Sequence, residues 1–299
     1  VNVKKDSTIE GDRIICGDAK QVLRTLPDDV VDLTVTSPPY FLHRDYGVNG
    51  QLGREATVHD YVKHIRGVLK ELLRVTAKTG ACFFVIGDTY RQQKLLLVPH
   101  RIAIAADQLG WTVRNDLIWS KLDPAPESPR NRWRSAHEHV LFLTKKPGKY
   151  KFHADAIRVP YSEVTLRRWG NGQVYGGPKS EGRKNPKDSR MRHGKTFKLN
   201  PKGCLPVDVW SLPSGDSGVP HYATFPGRLV KPIILACSSA DDLVLDPFAG
   251  SGTTCRIAKE TGRRFIGIEL NPDYAKMAAN ATGAKVISGG ITSVYDPDK

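Results

Sequence analysis

Apolar and polar positions alternate along this chain in two periods, and their order predicts an α/β fold. "DRIICGDA" is a short apolar run ending in Gly17-Asp18 and predicts a buried strand. "AKQVLRTLP" reads as a short helix stopped by Pro27, and "VDLTVT" as the next strand. From residue 57 to 75, Val58, Tyr61, Ile65, Val68, Leu69, Leu72 and Leu73 recur at helical spacing. They predict an amphipathic helix, with Gly80 closing it off. "ACFFVIGD" is continuously apolar, as in a strand covered on both faces. "PHRIAIAADQLG" predicts a helix capped by Gly110. "TVRNDLIWSK" and "HEHVLFLTK" predict two strands able to pair across a Pro-rich loop at 123–130. Residues 150–215 break the pattern with Gly, Pro, Lys, Arg and Asn. Order resumes with a helix in "PGRLVKPIILACS", a strand in "DLVLD" and a helix in "GTTCRIAKETG". A strand in "RFIGIEL" and a helix in "PDYAKMAANAT" follow. Strands alternating with helices predict a mostly parallel sheet with helices on both faces, interrupted by one insertion.

Charge sharpens the picture. The 299 residues carry a net +14, which points to a polyanionic partner, nucleic acid first. From Lys151 to Leu205, 13 Lys and Arg face four Asp and Glu, so most of the excess sits in the insertion. A solvated loop is the plainer alternative. The five cysteines are scattered and form no C-x-x-C pair, so neither a disulfide framework nor a zinc site is expected. With no bilayer-length apolar run and no signal peptide, the expected compartment is the cytoplasm.

Two turns at strand ends carry the candidate chemistry. "TSPPY" (36–40) follows the "VDLTVT" strand, and its prolines cannot continue a ladder, so the chain turns rigidly there. "LVLDPFAGSGTT" leaves its strand at Asp246 and turns through Gly250 and Gly252 into a helix. Glycines there permit positive φ and close approach of a ligand, and the helix start favours an anion. The following strand ends in Glu269, placed to accept hydrogen bonds from ribose hydroxyls. The phosphate-loop lysine is absent, and so is the third glycine of the dinucleotide fingerprint. An acid for an ammonium, a helix end for a carboxylate and a Glu for a ribose together describe S-adenosylmethionine. The alternative is a purely structural glycine turn.

Together the two stretches resemble a known family. "TSPPY" is similar to the catalytic [S/D/N]-P-P-[Y/F/W] motif of amino-group DNA methyltransferases, and "DPFAGSGTT" to their cofactor motif. The catalytic motif comes first and the basic segment lies between, an order resembling the beta group of these enzymes. The resemblance spans about Asp12 to Thr282. It implies a Rossmann-like, S-adenosylmethionine-dependent methyltransferase fold with a basic target-recognition insertion. Residues 1–149 would form the catalytic half, 150–215 the recognition insertion and 216–299 the cofactor half. It assigns Ser37, Pro38, Pro39 and Tyr40 to the target base, and Asp246, Phe248, Gly250, Gly252, Thr253 and Glu269 to S-adenosylmethionine. Asp18 and, less directly, Phe225 and Pro226 join the cofactor set. Within the insertion, Arg167, Arg168, Lys184, Arg190, Arg192 and Lys195 are the expected DNA contacts. The implied partners are double-stranded DNA, a second copy in a homodimer and a restriction endonuclease acting on the same site. The implied setting is a bacterial or archaeal nucleoid.

Ser37 at the first motif position is associated in the family with cytosine-N4 methylation, and Asp or Asn there with adenine-N6. Cytosine-N4 is therefore expected, with adenine-N6 as the alternative. No metal and no covalent intermediate are expected, and Cys16 and Cys82 are not read as nucleophiles. The His137–Glu138–His139 cluster is read as structural. "GDTY" at 87–90 is either a pocket lining or a plain turn. Rival readings are a non-catalytic nucleic-acid-binding protein, an RNA or protein-amide methyltransferase, and a nicotinamide dehydrogenase.

Overall fold

A computed structural model describes residues 12–169, 199–215 and 225–289. In chain order, the first half holds β1 (Arg13–Cys16), α1 (Ala19–Thr25), β2 (Val31–Thr36), α2 (Val58–Val75) and β3 (Thr76–Ile86). It continues with a small hairpin of β4 (Tyr90–Arg91) and β5 (Lys94–Leu95), then α3 (Val98–Leu109), β6 (Thr112–Lys121) and β7 (His137–Thr144). After α4 (Glu163–Trp169) come β8 (Val209–Leu212), α5 (Gly227–Cys237), β9 (Leu243–Asp246) and α6 (Thr253–Glu260). The last described elements are β10 (Arg264–Glu269), α7 (Pro272–Thr282) and β11 (Lys285–Ser288).

Nine strands form one sheet in the order β11-β1-β10-β9-β2-β3-β7-β6-β8. All pairs from β11 to β3 are parallel, and β7 runs antiparallel to both β3 and β6. Helices α1, α2 and α3 pack side by side, as do α5, α6 and α7. This is the expected Rossmann-like arrangement. The chain winds one way from β9 to β10 and the other way from β2 to β3. The reversal falls at the carboxyl ends of β9 and β2, the kind of switch point at which open α/β sheets bind ligands.

The helical stripe of α2 behaves as its spacing predicts. Tyr61, Ile65, Val68, Leu69, Leu72 and Val75 are buried against the sheet, and the Thr57 hydroxyl caps the first turn by accepting from the Asp60 amide at 3.1 Å. The expected closure at Gly80 is not what the chain does. Helix passes directly into strand at Thr76, whose hydroxyl donates to the Leu72 carbonyl at 2.6 Å. Pairing with β2 then skips from Val31↔Thr76 to Leu33↔Ala81, so β3 bulges. Gly80 sits on the return of that bulge, where a Cβ would stand 2.9 Å from the Val31 and Asp32 carbonyl oxygens. The glycine is needed for close approach, not for a helix cap.

Two further corrections concern edges. The stretch expected to be irregular contains β8, which pairs parallel with β6, and the helix α4. Beyond the last expected helix, β11 pairs parallel with β1. Both edge strands are short and largely exposed, so neither carries the apolar run that announces a buried strand.

The chain divides into two compact units, one of the described residues up to His153 and from Asp208 onward, the other of Ala154–Val207. The second unit has a bridge between Val159 and Cys204. Its Arg158 pairs with Asp155 and donates to the Gly203 carbonyl at 2.9 Å. No helix among the described residues is long and apolar enough to cross a membrane.

Candidate active site

The expected residues of the first unit line one edge of the sheet in strand order. β1 leads to Asp18, β10 ends at Glu269, β9 ends at Asp246 and β2 leads to Ser37–Tyr40. α5 runs into β9 through a short turn, so its start at Phe225–Pro226 lies at that same edge. One hydrogen bond ties the two motifs together. The Thr36 hydroxyl donates to Asp246 Oδ1 at 2.6 Å, both groups being buried. Tyr40 and Phe248 also border the same apolar core.

Asp246 is 1% exposed and organises its own turn, because Oδ1 also accepts from the Phe248 amide at 3.0 Å. Burial pushes its carboxyl up from 3.8 to about 6, against the lowering effect of those hydrogen bonds. Gly252 has φ +85°, and a Cβ there would stand 2.9 Å from Ala278 Cα, so this glycine lets α6 pack on α7. Gly250 differs. It has φ +51° with open space around it, room that a bound group can use. Its amide donates to Glu269 Oε2 at 2.8 Å, while Glu269 Oε1 accepts from the Asn271 amide at 2.8 Å. Burial raises the Glu269 carboxyl as well. Each Glu269 oxygen keeps a lone pair for a further donor. Asp18 caps α1, its Oδ1 accepting from the Gln21 amide at 2.8 Å. Thr253 is the half-buried first residue of α6, and Phe225 is buried at the start of α5.

At the TSPPY turn, Ser37 Oγ donates to Tyr40 Oη at 3.2 Å, and Tyr40 Oη donates to Glu138 Oε2 at 2.5 Å. Lys121 Nζ pairs with the other Glu138 oxygen. Burial, and then the Glu138 carboxylate, push the Tyr40 phenol well up, so it stays a donor. The Pro39 carbonyl is already engaged, accepting from the Tyr61 hydroxyl at 2.8 Å. Gly87, at the end of β3, leaves room for the Tyr40 ring, since a Cβ there would come within 2.9 Å of it. Of the two readings of "GDTY", this contact and the Thr89 hydroxyl bonded to the Phe41 carbonyl at 2.8 Å favour a lining of the site.

Glu138, Lys121 and Tyr61 bond to or beside the TSPPY turn, contacts that motif spacing did not supply. The His137–Glu138–His139 cluster, read as structural, makes contacts within the protein on both faces of β7. His139 does pack structurally, Nδ1 lying 2.9 Å from Asp116. Glu138 alternates to the other face and meets Tyr40. No group of His, Cys, Asp and Glu able to hold a metal occurs among the described residues. Burial raises the thiols of Cys16 and Cys82. Of the expected DNA contacts, Arg167 is exposed on α4 and Arg168 follows it there. Lys184, Arg190, Arg192 and Lys195 lie outside the described residues.

Comparison with known proteins places the chain in a family. The DNA methylase family profile, covering the N6 and N4 enzymes, matches residues 31–280. The type II methyltransferase M.SmaI of Serratia marcescens is 30% identical over 302 residues, covering 91% of each chain. The DNA adenine methyltransferase YhdJ of Escherichia coli is 30% identical over 272 residues, covering 90% of this chain and 81% of its own. Among solved structures, a DNA modification methylase of Thermus thermophilus, complexed with S-adenosyl-L-methionine, superposes with a TM-score of 0.59 at 26% identity. The match covers 92% of this chain and 99% of that one.

Proposed function

The chain belongs to the DNA methylase family, and from that premise we propose that it is a sequence-specific DNA methyltransferase acting on the N4 amine of a cytosine flipped out of the duplex. The methyl donor is S-adenosylmethionine, whose sulfonium supplies an electrophilic methyl group. The observation that supports this reading is the Thr36–Asp246 hydrogen bond, which ties the start of the TSPPY turn to the start of the glycine turn. Asp246 and the Gly250 turn suit the donor's amino-acid end, Glu269 its ribose and Asp18 the adenosine end. Phe225, Pro226, Phe248, Gly252 and Thr253 complete the wall.

The chain's own residues prepare the amine. An exocyclic amine is a poor nucleophile because its lone pair is delocalised into the ring. Accepting hydrogen bonds from its two N–H groups draws the nitrogen toward tetrahedral geometry. Ser37 suits this task because its own proton is committed to Tyr40, leaving lone pairs to face the base. The second acceptor is a backbone carbonyl of the Pro38-Pro39 segment, Pro38 before Pro39, whose oxygen already accepts from Tyr61. Tyr40 presents its ring to the base. Flipping the base costs a few kcal/mol, roughly, and positioning supplies most of the acceleration.

Residues 150–215 are proposed as the recognition segment between the catalytic (1–149) and cofactor (216–299) halves. Its cations at Arg167, Arg168, Lys184, Arg190, Arg192 and Lys195 would meet phosphates and guanines. The name of the S. marcescens relative supports a place in a restriction–modification pair. Adenine-N6 remains a second reading, favoured by the name of the E. coli relative. Incubation with DNA and labelled S-adenosylmethionine, followed by digestion to nucleosides, tests both. Label in N4-methylcytosine is expected. Label in N6-methyladenine selects the second reading, and DNA without label overturns both.

A further inference from the structure

The loop joining β6 to β7, residues 122–136, leaves the sheet beside the site. Its two stems carry Lys121 and Glu138, and Glu138 is bonded to Tyr40. Pro124, Pro126 and Pro129 each fix φ and remove a backbone donor. Glu127 clamps the turn, pairing with Arg132 and accepting from the Ser135 amide at 3.3 Å. The Arg132 guanidinium lies 3.8 Å above the Tyr90 ring centroid on the hairpin that follows β3. Arg132 also donates to the Trp133 carbonyl at 3.0 Å, which fixes the backbone of that residue. Asn131 Nδ2 donates to Gln93 Oε1 at 3.3 Å, and the Ser214 amide donates to Asp123 at 2.6 Å.

This rigid frame holds the Trp133 indole 94% exposed. A large apolar ring held in water by a braced loop forfeits the hydrophobic gain of burial. The exposed cations Arg130 and Arg134 flank it. An aromatic face between cations matches the chemistry of nucleic acid, with stacking for a base and charge for phosphates. The net charge of the chain has the matching sign.

We propose that the β6–β7 loop is a duplex wedge. Trp133 stacks in the gap that the target base leaves, and Arg130 and Arg134 hold the flanking phosphates. This rests on the methyltransferase reading above. A wedge matters only where a paired base must be extracted, because flipping is cheapest for a base already unpaired.

The test uses a duplex carrying the site found by modification sequencing, in fully paired form and with the target base mispaired. Trp133→Ala is expected to lose roughly 10- to 100-fold in turnover on the paired duplex and little on the mispaired one. Trp133→Phe, which keeps a stacking face, is expected to retain most turnover on both. Arg130→Ala with Arg134→Ala is expected to reduce the slope of log affinity against log salt by about 0.9 per lost phosphate contact. An unchanged rate for Trp133→Ala on the paired duplex, or equal losses on both substrates, overturns the wedge while leaving the methyltransferase reading intact. Such a result assigns the indole to a protein partner or to loop structure. A wild-type protein that methylates neither duplex overturns both readings.

Discussion

Exchanging Glu138 for Gln keeps the shape of the side chain and removes its charge. In the wild type the donors run one way, from Ser37 to Tyr40 to Glu138, because a carboxylate can only accept. An amide has one oxygen and one NH2. The Lys121 ammonium already holds one Glu138 oxygen and would claim the amide oxygen. The NH2 would then face Tyr40 and reverse the chain, so that Tyr40 donates to Ser37 and the Ser37 proton points at the base amine. A donor would stand where an acceptor is needed. One lost hydrogen bond is worth about 0.5–1.5 kcal/mol, and the opposed donors add about 1–3 kcal/mol. Turnover should therefore fall by roughly 10- to 1000-fold, with affinity for S-adenosylmethionine unchanged. Steady-state methylation and calorimetry measure the two separately. Adding Lys121→Met frees the amide oxygen to turn toward Tyr40, so the double variant should regain most of the lost rate, a coupling that a double-mutant cycle isolates. A double variant as slow as Glu138→Gln, or a Glu138→Gln with normal turnover, refutes this polarity argument.

The raised carboxyl of Asp246 makes cofactor affinity pH-dependent. Below about 6 the free protein holds a proton that an ammonium ligand must displace, so affinity should drop by up to about tenfold per pH unit there and level off above. Calorimetry from about pH 5 to 8 that gives a flat profile would count against the assigned role. The same shift predicts that folding stability falls as pH rises from about 4 to about 6, since the folded chain keeps the proton longer than the unfolded one. Thr36→Val removes a bond that lowers the Asp246 carboxyl, so the affinity midpoint should move to higher pH. Gly250→Ala should cost only the left-handed strain of about 1–2 kcal/mol. Gly252→Ala should add about 1–3 kcal/mol of overpacking against Ala278. Urea titration compares the two, and equal losses would contradict the packing account.

Local chemistry in the sequence was informative wherever neighbours in space are neighbours along the chain. The stripe of α2, the apolar run of β3 and the two turns could be read because their patterns are self-contained. Contacts between distant strands could not. Nothing near Tyr40 reveals that its hydroxyl finds Glu138, 98 residues away, on a strand whose own pattern names no partner for that glutamate. Once β7 is known to run antiparallel beside β3, His139 faces Ile86, and Glu138 must lie next to the turn. Gly80 was misread for a similar reason, since its neighbours are carbonyls of another strand. The edge strands β8 and β11 escaped because a strand with one partner and wet faces needs no apolar run.

The pairing of β1 between β10 and β11 has a consequence for biosynthesis. Those four residues leave the ribosome long before either partner exists. At ~5–20 residues per second, roughly 10–50 s pass before β10 emerges to receive them. Throughout that interval "RIIC" has neither of its ladder partners, so the sheet on that side closes only after most of the chain has been made.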